Sequence, residues 1–306
     1  MTSEIQPPMN TDEPAAEEKG TSAVAVVANY ETPGGQTVSK QSLPLVSIGV
    51  PAYNAGKTIK AMIESVLNQS YENWELLLCD DGSTDDTVRI AESFKDSRIR
   101  IFSDGRNLKI ARRLNQLVEN AAGIYFARMD ADDQMFPDRL ERQVRYLAEN
   151  EDVDVLGGGA VVVDENGSVL GGRNIVFTPR DTDSFIHPTV IGKTEWFRKN
   201  RYDERFSGYE DLELWRRARK GSVYRLLDGA VIYYRDSLKF DLRQYLFRQK
   251  QVMKAAVFGA KIDAASRMKI FCSASLRCFV AFSFWALGLS RYFVRRRNKK
   301  LVEVEI

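Results

Sequence analysis

Between residues 45 and 150 the chain alternates between two hydrophobic patterns. Short continuous apolar runs predict buried strands, and between them apolar residues recur every three or four positions, which predicts amphipathic helices. The predicted strands cover residues 45–50, 74–79, 99–102 and 124–129. The predicted helices are marked by the apolar positions of residues 59–67, 88–94, 110–118 and 140–147. Strands that alternate with helices predict an α/β fold with a parallel, doubly wound sheet.

The pattern is less regular after residue 150. Two apolar runs, residues 153–163 and 168–177, are joined by Asp164-Glu165-Asn166-Gly167, and the Asn-Gly pair favours the tight turn of a β-hairpin. A helix is predicted over residues 211–220, and one or two strands over residues 223–234. From Phe240 onward the spacing of apolar residues is helical.

Composition narrows the functional classes. The 306 residues carry 44 Lys and Arg against 42 Asp and Glu, so the net charge of +2 gives no reason to expect nucleic acid as a partner. The single histidine, His187, excludes zinc sites built from several histidines. Three cysteines without CxxC spacing argue against a disulfide framework and favour a reducing compartment. A mean hydropathy of −0.33 excludes a polytopic membrane protein.

The first 43 residues differ from the rest of the chain. They are rich in Pro, Thr, Ser, Glu and Ala, and they hold six acidic residues against two lysines. Low hydrophobicity with unbalanced charge predicts a disordered tail over residues 1–43. The start of the chain also lacks the basic and apolar segments of a secretory signal.

Polar residues follow three of the predicted strands at the point where each strand ends. They are Pro51-Ala52-Tyr53-Asn54, Asp80-Asp81-Gly82-Ser83 and Asp130-Ala131-Asp132-Asp133. Because ligands of doubly wound sheets bind beyond the carboxyl ends of the strands, these groups are expected to meet at one rim. Paired carboxylates at such a rim suit a magnesium or manganese ion. The alternative is that these aspartates are turn residues, with Ser83, Thr84 or Asp85 capping the helix after the second strand, a role that is compatible with ligand binding.

These motifs, with Ser65-Val66-Leu67-Asn68-Gln69-Ser70-Tyr71 between the first two, resemble the family 2 glycosyltransferases of the A-type fold. The resemblance runs in order from about residue 44 to about residue 235. It implies an inverting transferase that uses a nucleotide-diphospho-sugar, usually a UDP-sugar, together with Mg²⁺ or Mn²⁺. It also implies a Rossmann-like, mostly parallel central sheet, followed here by a helical extension.

The resemblance assigns the nucleobase to the first two strand ends. Pro51, Ala52 and Tyr53 would border the base, with Tyr53 against the ring. Asp81 would accept a hydrogen bond from the base, with Asp80 as the alternative carboxylate.

The third strand end would hold the ribose and the diphosphate. Asp130, with Ala131 beside it, would meet the ribose or the metal, and Asp132 would ligate the metal that bridges the diphosphate. Arg112 falls in the segment that supplies a basic contact in relatives, and its competitors are Lys109 and Arg113. Relatives often have glycine in this segment, shortly after the position of Asn107, where this chain has Leu108-Lys109-Ile110.

The resemblance also identifies a general base. Asp211, in Gly208-Tyr209-Glu210-Asp211-Leu212-Glu213-Leu214-Trp215, matches the aspartate that serves as base in the family, and Glu210 would position or contact the acceptor. The alternative is that both acids occupy a first helical turn because the helix dipole favours them there. Trp215 is either a sugar-stacking or a core residue. His187, in a His-Pro-Thr element, is either structural or a contact to the diphosphate, the metal or the acceptor.

The C-terminal part adds a further feature. Residues 270–294 form the most apolar stretch, and Arg295-Arg296-Arg297 and Lys299-Lys300 follow it. An apolar, aromatic-rich helix beside a basic cluster predicts peripheral contact with an anionic membrane surface, at the cytoplasmic inner face of the cell membrane. The alternative is a helix packed on the catalytic domain.

The expected organisation is therefore a tail at 1–43, a catalytic domain at 44–238 and a helical extension at 239–306. Residues 44–133 would bind the nucleotide-sugar and residues 134–238 the acceptor, a glycan or a lipid-linked saccharide of exopolysaccharide or lipopolysaccharide biosynthesis. Two other functions remain open: a non-catalytic nucleotide-sugar or glycan-binding protein on the same fold, and a nucleotidyltransferase. The latter usually has a glycine-rich basic loop, for which residues 52–57 are a poor substitute.

Overall fold

The computed structural model describes residues 30–31, 37–38, 43–174, 185–236, 241–258 and 264–289. Its first half alternates strands and helices as the hydrophobic pattern predicts. The elements are β1 (Tyr30–Glu31), β2 (Thr37–Val38), β3 (Val46–Ala52), α1 (Ile59–Leu67), β4 (Trp74–Asp80), α2 (Thr87–Ser93), β5 (Ile99–Ser103), α3 (Ile110–Asn120), β6 (Tyr125–Arg128), β7 (Gln134–Met135) and α4 (Arg139–Glu149). Most of the predicted tail lies outside the described residues.

The second half has more elements than the sequence predicted. They are β8 (Val155–Val163), β9 (Val169–Arg173), a 3-10 turn (His187–Thr189), β10 (Ile191–Lys193), α5 (Thr194–Lys199), α6 (Glu210–Ala218), β11 (Tyr224–Arg235), α7 (Leu242–Phe258) and α8 (Ala264–Ala286). The predicted hairpin is confirmed as β8 and β9, with Gly167 in the left-handed conformation at the turn (φ +86°). The last residues of its predicted second strand, and the basic cluster 295–300, lie outside the described residues.

Within the described residues, nine strands form one mixed sheet in the order β5-β4-β3-β6-β10-β8-β11-β7, with β9 paired to β8. The predicted parallel arrangement is confirmed, because β3 runs parallel to β4 and β6, and β4 runs parallel to β5. The later half is mostly antiparallel: β10 pairs antiparallel with β6 and β8, and β7 pairs antiparallel with β11. Only β8 and β11 are parallel there.

Side chains from the two faces of the sheet form two separate apolar clusters. Alternation along β4 sends Leu76 and Leu78 to the face that packs on α1 and α4, and Leu77 and Cys79 to the face that packs on α3 and α6. All four are buried, as expected for parallel strands covered on both sides. The sheet is therefore a rigid support from which the loops at its carboxyl edge project.

The β3–β6 ladder ends early, and this end creates the opening of the site. The last paired residues are Gly49 and Arg128, while β3 continues to pair with β4 as far as Ala52 and Asp80. Beyond Gly49, Pro51 of β3 has no N–H and therefore cannot donate a hydrogen bond to a neighbouring strand. The chain also reverses direction here, since it winds from β3 to β4 and β5 on one side and returns to β6 on the other. Ligands of doubly wound sheets bind at such a switch point.

Helices α7 and α8 pack on each other, and α7 also packs on the start of α6. Ala255 of α7 is buried against Phe206 and Tyr209, the residues that lead into α6. The outer face of α8 instead exposes large apolar side chains, namely Phe271, Leu276, Phe279, Phe282 and Trp285. Among the described helices, one segment, Arg267–Ala286, is long and apolar enough to cross a membrane, with a mean hydropathy of 1.2 and 11% of its residues buried.

Candidate active site

The loops that follow β3 and β4 are joined by hydrogen bonds. The backbone N–H of Asp81 donates to the carbonyl of Ala52 (2.7 Å), and the N–H of Thr84 donates to Oδ1 of Asn54 (2.8 Å). In return, the N–H of Asn54 donates to Oγ of Ser83 (2.9 Å). These bonds fix the two loops as one unit at the rim.

The two aspartates after β4 have different roles. Asp80 closes its own turn, because its carboxylate accepts hydrogen bonds from the N–H groups of Gly82 and Ser83 and from the hydroxyl of Ser103. Asp81 instead turns to the segment before α3, where it accepts from the N–H groups of Leu108 (2.7 Å) and Lys109 (3.1 Å). Asp81 therefore shapes the loop beside the predicted base site.

The structure places Arg112 and its competitor Arg113 in different surroundings. Arg113 is 1% exposed, and its Nε donates to Asp81 at 3.0 Å while its Nη2 donates to Asp104 at 2.6 Å. The hydrogen bond from Arg113 holds the pKa of Asp104 well below its usual range. Arg112 is 56% exposed and lies 3.6 Å from Glu204, on a different side of α3. One position along a helix turns a side chain by about 100°, and this turn separates the two arginines.

The three residues predicted around the nucleobase lie at the rim in different environments. Tyr53 presents its ring to solvent, with 54% of the residue exposed, and Pro51 is half-buried. The methyl group of Ala52 is buried in the core, so only its backbone borders the rim. Ala131 is likewise buried, and its carbonyl accepts a hydrogen bond from Thr58 Oγ1 at 3.0 Å.

Three carboxylates converge in the loop after β6. One oxygen atom from each of Asp130, Asp132 and Asp133 lies within 4.8 Å of the others. Loss of hydration, followed by repulsion from Asp130, raises the pKa of Asp132 to about 6 and raises that of Asp133 well above its usual range. An all-oxygen donor set made of carboxylates is what Mg²⁺ and Mn²⁺ bind in proteins. The residues present therefore fit a divalent cation.

Arg235 and Arg128 hold this loop in place. The N–H of Arg235 donates to Oδ1 of Asp133 at 2.8 Å, and its Nε donates to the carbonyl of Asp132 at 3.1 Å. Arg128, at the end of β6, forms a 2.5 Å ion pair with Asp130. Neither Asp133 nor Arg128 was singled out from the sequence. The available signal was a charged residue inside the apolar run 124–129.

Glu210 and Asp211 lie in the first turn of α6. The Glu210 carboxylate is buried and accepts hydrogen bonds from the N–H groups of Gly208 and Tyr209, so it caps its own helix. Burial, followed by the charge of Asp211, raises the pKa of Glu210 to about 7. Burial also raises the pKa of Asp211, whose carboxylate accepts a hydrogen bond from the N–H of Leu212 at 2.7 Å. Among the described contacts, Asp211 is the less occupied carboxylate.

His187 and Trp215 belong to a buried aromatic cluster. His187 Nε2 lies 2.9 Å from the hydroxyl of Tyr202, and burial holds the pKa of His187 well below its usual value, so its ring is neutral. Trp215 is 2% exposed and stacks on Trp196, with ring centroids 6.0 Å apart. Of the two alternatives for Trp215, the structure shows the core residue, because its ring is buried in the apolar cluster on this face of the sheet.

Lys109 has an unusual backbone conformation. It occupies φ 72° and ψ 159°, a region that residues other than glycine rarely adopt. This is the segment where relatives often have glycine. The Asp81 carboxylate accepts the N–H of Lys109 and stabilises the strained conformation.

Comparison with known proteins agrees with this geometry. The family model described as glycosyl transferase family 2 matches residues 47–210. A protein of Bacillus subtilis (strain 168) named as glycosyltransferase EpsE is 32% identical over 265 residues, which is 74% of this chain and 95% of that protein. An Escherichia coli protein, UDP-Glc:alpha-D-GlcNAc-diphosphoundecaprenol beta-1,3-glucosyltransferase WfgD, is 39% identical over 127 residues. That match covers 42% of this chain and about half (49%) of WfgD.

Solved structures share the fold at low sequence identity. Residues 1–349 of S. aureus TarS in complex with UDP-GlcNAc align with a TM-score of 0.56 and 19% identity, over 79% of this chain and 75% of that chain. The mannosyltransferase PcManGT from Pyrobaculum calidifontis, in complex with GDP-Man and Mn²⁺, aligns with a TM-score of 0.56 and 20% identity, over 82% of this chain and 74% of that chain. The predicted A-type fold is thereby confirmed.

We predict that Lys109→Gly stabilises the protein. Relief of the left-handed strain is worth about 1–3 kcal/mol, and the added freedom of glycine in the unfolded chain costs about 0.5–1 kcal/mol. Lys60→Gly, in the regular helix α1, is the matched control and should destabilise by about 1 kcal/mol. The free energy of urea unfolding measures both changes. If Lys109→Gly lowers the free energy of unfolding as Lys60→Gly does, the backbone at Lys109 is not strained.

Proposed function

The chain belongs to glycosyl transferase family 2, and we propose that it is an inverting, metal-dependent enzyme that moves a sugar from a nucleotide-diphospho-sugar to a hydroxyl group. The observation that carries this proposal is that the chain holds two carboxylate sets: Asp130, Asp132 and Asp133 at the end of β6, and Glu210 and Asp211 at the start of α6. The first set suits a cation and a diphosphate, and the second suits a base.

We place the nucleoside between the first two strand ends. The exposed ring of Tyr53 offers a flat surface for a base. In the adjoining loop, Oδ2 of Asp81 accepts the N–H of Lys109 and can accept a further hydrogen bond from the base. Asp130 lies at the neighbouring strand end, where a ribose would follow. The proposed donor is a UDP-sugar. WfgD is named for its use of UDP-Glc, and the TarS structure is a complex with UDP-GlcNAc.

Asp132 and Asp130 are the proposed metal ligands. When bound there, Mg²⁺ or Mn²⁺ supplies positive charge to the leaving diphosphate. The raised pKa of Asp132 supports this assignment, because a carboxylate whose negative charge is uncompensated binds a cation favourably. Asp133 accepts a hydrogen bond from the backbone N–H of Arg235 and so orients the loop around these ligands.

Asp211 is the proposed general base. Its carboxylate takes the proton of the acceptor hydroxyl, whose oxygen forms a bond to the anomeric carbon as the bond from that carbon to the diphosphate oxygen breaks. The electron pair leaves with the diphosphate, and the configuration inverts. A raised pKa suits this task, since a base is most effective when its pKa lies near the working pH. Glu210 caps the helix and positions Asp211.

A non-catalytic nucleotide-sugar-binding or glycan-binding protein is the alternative. Such a protein needs the donor rim but has no need of a carboxylate at the position of Asp211. A substitution of Asp211 therefore separates the two functions.

We also propose peripheral contact with the cytoplasmic face of the membrane, where the enzyme reaches a glycan or lipid-linked saccharide acceptor. Helix α8 exposes Phe279, Phe282 and Trp285, while the sequence places five basic residues between positions 295 and 300. Exposed aromatic side chains beside basic residues suit an anionic lipid surface. The domain organisation follows: residues 44–238 catalyse transfer, and residues 239–306 hold the enzyme at the membrane. The name of WfgD, which acts on a diphosphoundecaprenol-linked sugar, supports this class of acceptor.

Asp211→Asn should lower the turnover of sugar transfer by roughly 100- to 10,000-fold, because the variant has no basic group at the acceptor hydroxyl. Binding of UDP and manganese, measured by calorimetry, should change little. Glu213→Gln removes a carboxylate of the same helix that pairs with Arg217, and it is the matched control. Turnover of Asp211→Asn at the wild-type rate would remove Asp211 from the role of base.

Asp132→Asn should weaken manganese-dependent binding of UDP by about tenfold or more, since even residues that support a metal ligand are worth about 10–100-fold in affinity. Calorimetric titration of UDP with manganese, and again with a chelator, measures the difference. Asp138→Asn, on the nearby start of α4, is the control. Equal binding by wild type and Asp132→Asn in both conditions would contradict the metal site.

Phe279→Ser combined with Phe282→Ser should release the protein from vesicles that contain phosphatidylglycerol. Wild type should float with these vesicles and bind several-fold less to vesicles of phosphatidylcholine alone, because both burial of aromatic rings and charge attraction contribute. Ile124→Ser, which removes an exposed apolar residue elsewhere, is the control. The membrane proposal would be overturned if wild type bound neither kind of vesicle. Elution of wild type as a dimer that the double variant does not form would then show that α8 contacts a second copy of the chain.

A further inference from the structure

Arg113 is a buried cation that joins the loops after β4 and β5 to α3. Its Nε donates to Oδ1 of Asp81, which follows β4, at 3.0 Å. Its Nη2 donates to Oδ1 of Asp104, which follows β5, at 2.6 Å. The two loops also lie directly against each other, since a Cβ at Gly82 would be 2.9 Å from the backbone of Arg106. The position of Asp81 at the rim therefore depends on a residue of α3.

The guanidinium of Arg113 is fully occupied by the protein. Besides Asp81 and Asp104, it donates through Nη1 to Oε1 of Gln116 at 2.9 Å and through Nη2 to the carbonyl of Arg106. A longer bond runs from Nη1 to Oδ2 of Asp104 at 3.4 Å. These bonds use every N–H of the guanidinium fork, and the side chain is 1% exposed. Arg113 thus has no donor left for a substrate and can act on one only through its partners.

The same contacts determine which oxygen atom of Asp81 can bind a ligand. Its Oδ1 accepts the N–H groups of Leu108 (2.7 Å) and Lys109 (3.1 Å) and Nε of Arg113 (3.0 Å). One carboxylate oxygen has room for about two donors, so Oδ1 is filled. Among the described contacts, Oδ2 accepts only a share of the N–H of Lys109, at 3.1 Å. The side chain of Asp81 is 9% exposed, and its remaining acceptor site is on Oδ2.

We propose that Arg113 is a positioning residue that sets the nucleobase specificity of the donor site. By holding Oδ1 of Asp81, it directs Oδ2 to an N–H group on the edge of the base. The inference rests on the proposed function, because it assumes that Asp81 meets the base of the donor. A base with an N–H at that edge, such as uracil, is accepted, and a base with a bare nitrogen there, such as cytosine, is not.

A purely structural role for Arg113 predicts a different result. If Arg113 only kept the rim folded, its loss would loosen the rim and weaken every nucleotide alike. If it directs Asp81, its loss weakens the nucleotides whose base donates to Oδ2 and spares the others. The ratio of two affinities therefore separates the two roles.

The test measures the dissociation constants of UDP and CDP by calorimetry in the presence of manganese. Uracil carries a hydrogen on N3 and cytosine does not, while the ribose and the diphosphate are the same. The contribution of the metal and the diphosphate therefore cancels in the ratio of the two constants. Wild type should bind UDP about tenfold or more tightly than CDP, because a hydrogen bond to a charged group contributes about that factor.

Arg113→Met should reduce the preference for UDP to within about threefold, because Asp81 loses its fixed orientation. Arg112→Met is the matched control: it removes the neighbouring guanidinium, which is 56% exposed and pairs with Glu204, and it should keep the preference of wild type. Arg113→Lys keeps the charge but lacks the planar fork that spans Asp81 and Asp104. It should also lower the preference, by about threefold or more, and it decides the question if Arg113→Met does not fold.

An unchanged preference for UDP in the Arg113 variants would overturn the proposal, even if both affinities fell. Equal binding of UDP and CDP by wild type would overturn it as well, and would remove Asp81 from the base site. A wild type that prefers UDP but transfers no sugar would instead contradict the proposed function. The loss of that preference in Arg113→Met, but not in Arg112→Met, would then still support the role of Arg113.

Discussion

The end of the ladder between β3 and β6 determines where everything else in the site lies. Pairing stops at Gly49 and Arg128, and the two strands continue into separate loops. On one side of the opening lies the unit formed by the loops after β3 and β4, and on the other lies the acidic loop after β6. Gly49 also makes room for Phe126, because a Cβ at that position would lie 2.2 Å from the ring. The opening is thus built into the packing of the central strands.

Negative charge is concentrated around this opening. Asp130, Asp132 and Asp133 repel one another, and Glu210 and Asp211 do the same at the start of α6. A protein selected for stability alone would not gather such sets, since charges of one sign held close together oppose folding. The cluster at the end of β6 is explained if a divalent cation and a diphosphate bind beside it, while Arg128 pairs with Asp130. The charges that weaken the fold are the ones that the proposed chemistry uses.

The sequence predicted the central strands and the rim well, because both depend on local patterns. Parallel strands buried on both faces appear as continuous apolar runs, and the polar residues that end them lie at the same edge of the sheet. It did not predict β7, β10 and α5, which are too short to show a hydrophobic period. It named Arg112 with Lys109 and Arg113 as competitors and could not tell their contacts apart, because their partners Asp81 and Glu204 are distant in sequence.

Long-range packing accounts for the other differences. Trp215 is an ordinary helix residue in the sequence, but α6 packs so that its ring meets Trp196 and Phe185 in the core. Arg128 looked like one charge in an apolar run, and its burial beside Asp130 became visible only in three dimensions. The central claim, that these residues catalyse metal-dependent sugar transfer, is tested most directly by release of nucleoside diphosphate from a panel of nucleotide-sugars, with and without manganese, in the presence of lipid-linked saccharide acceptors. The account predicts release from one donor that requires both the metal and an acceptor. The account would be contradicted by a donor that binds tightly with manganese but releases nucleoside diphosphate no faster than it does in buffer alone, whichever acceptor is present.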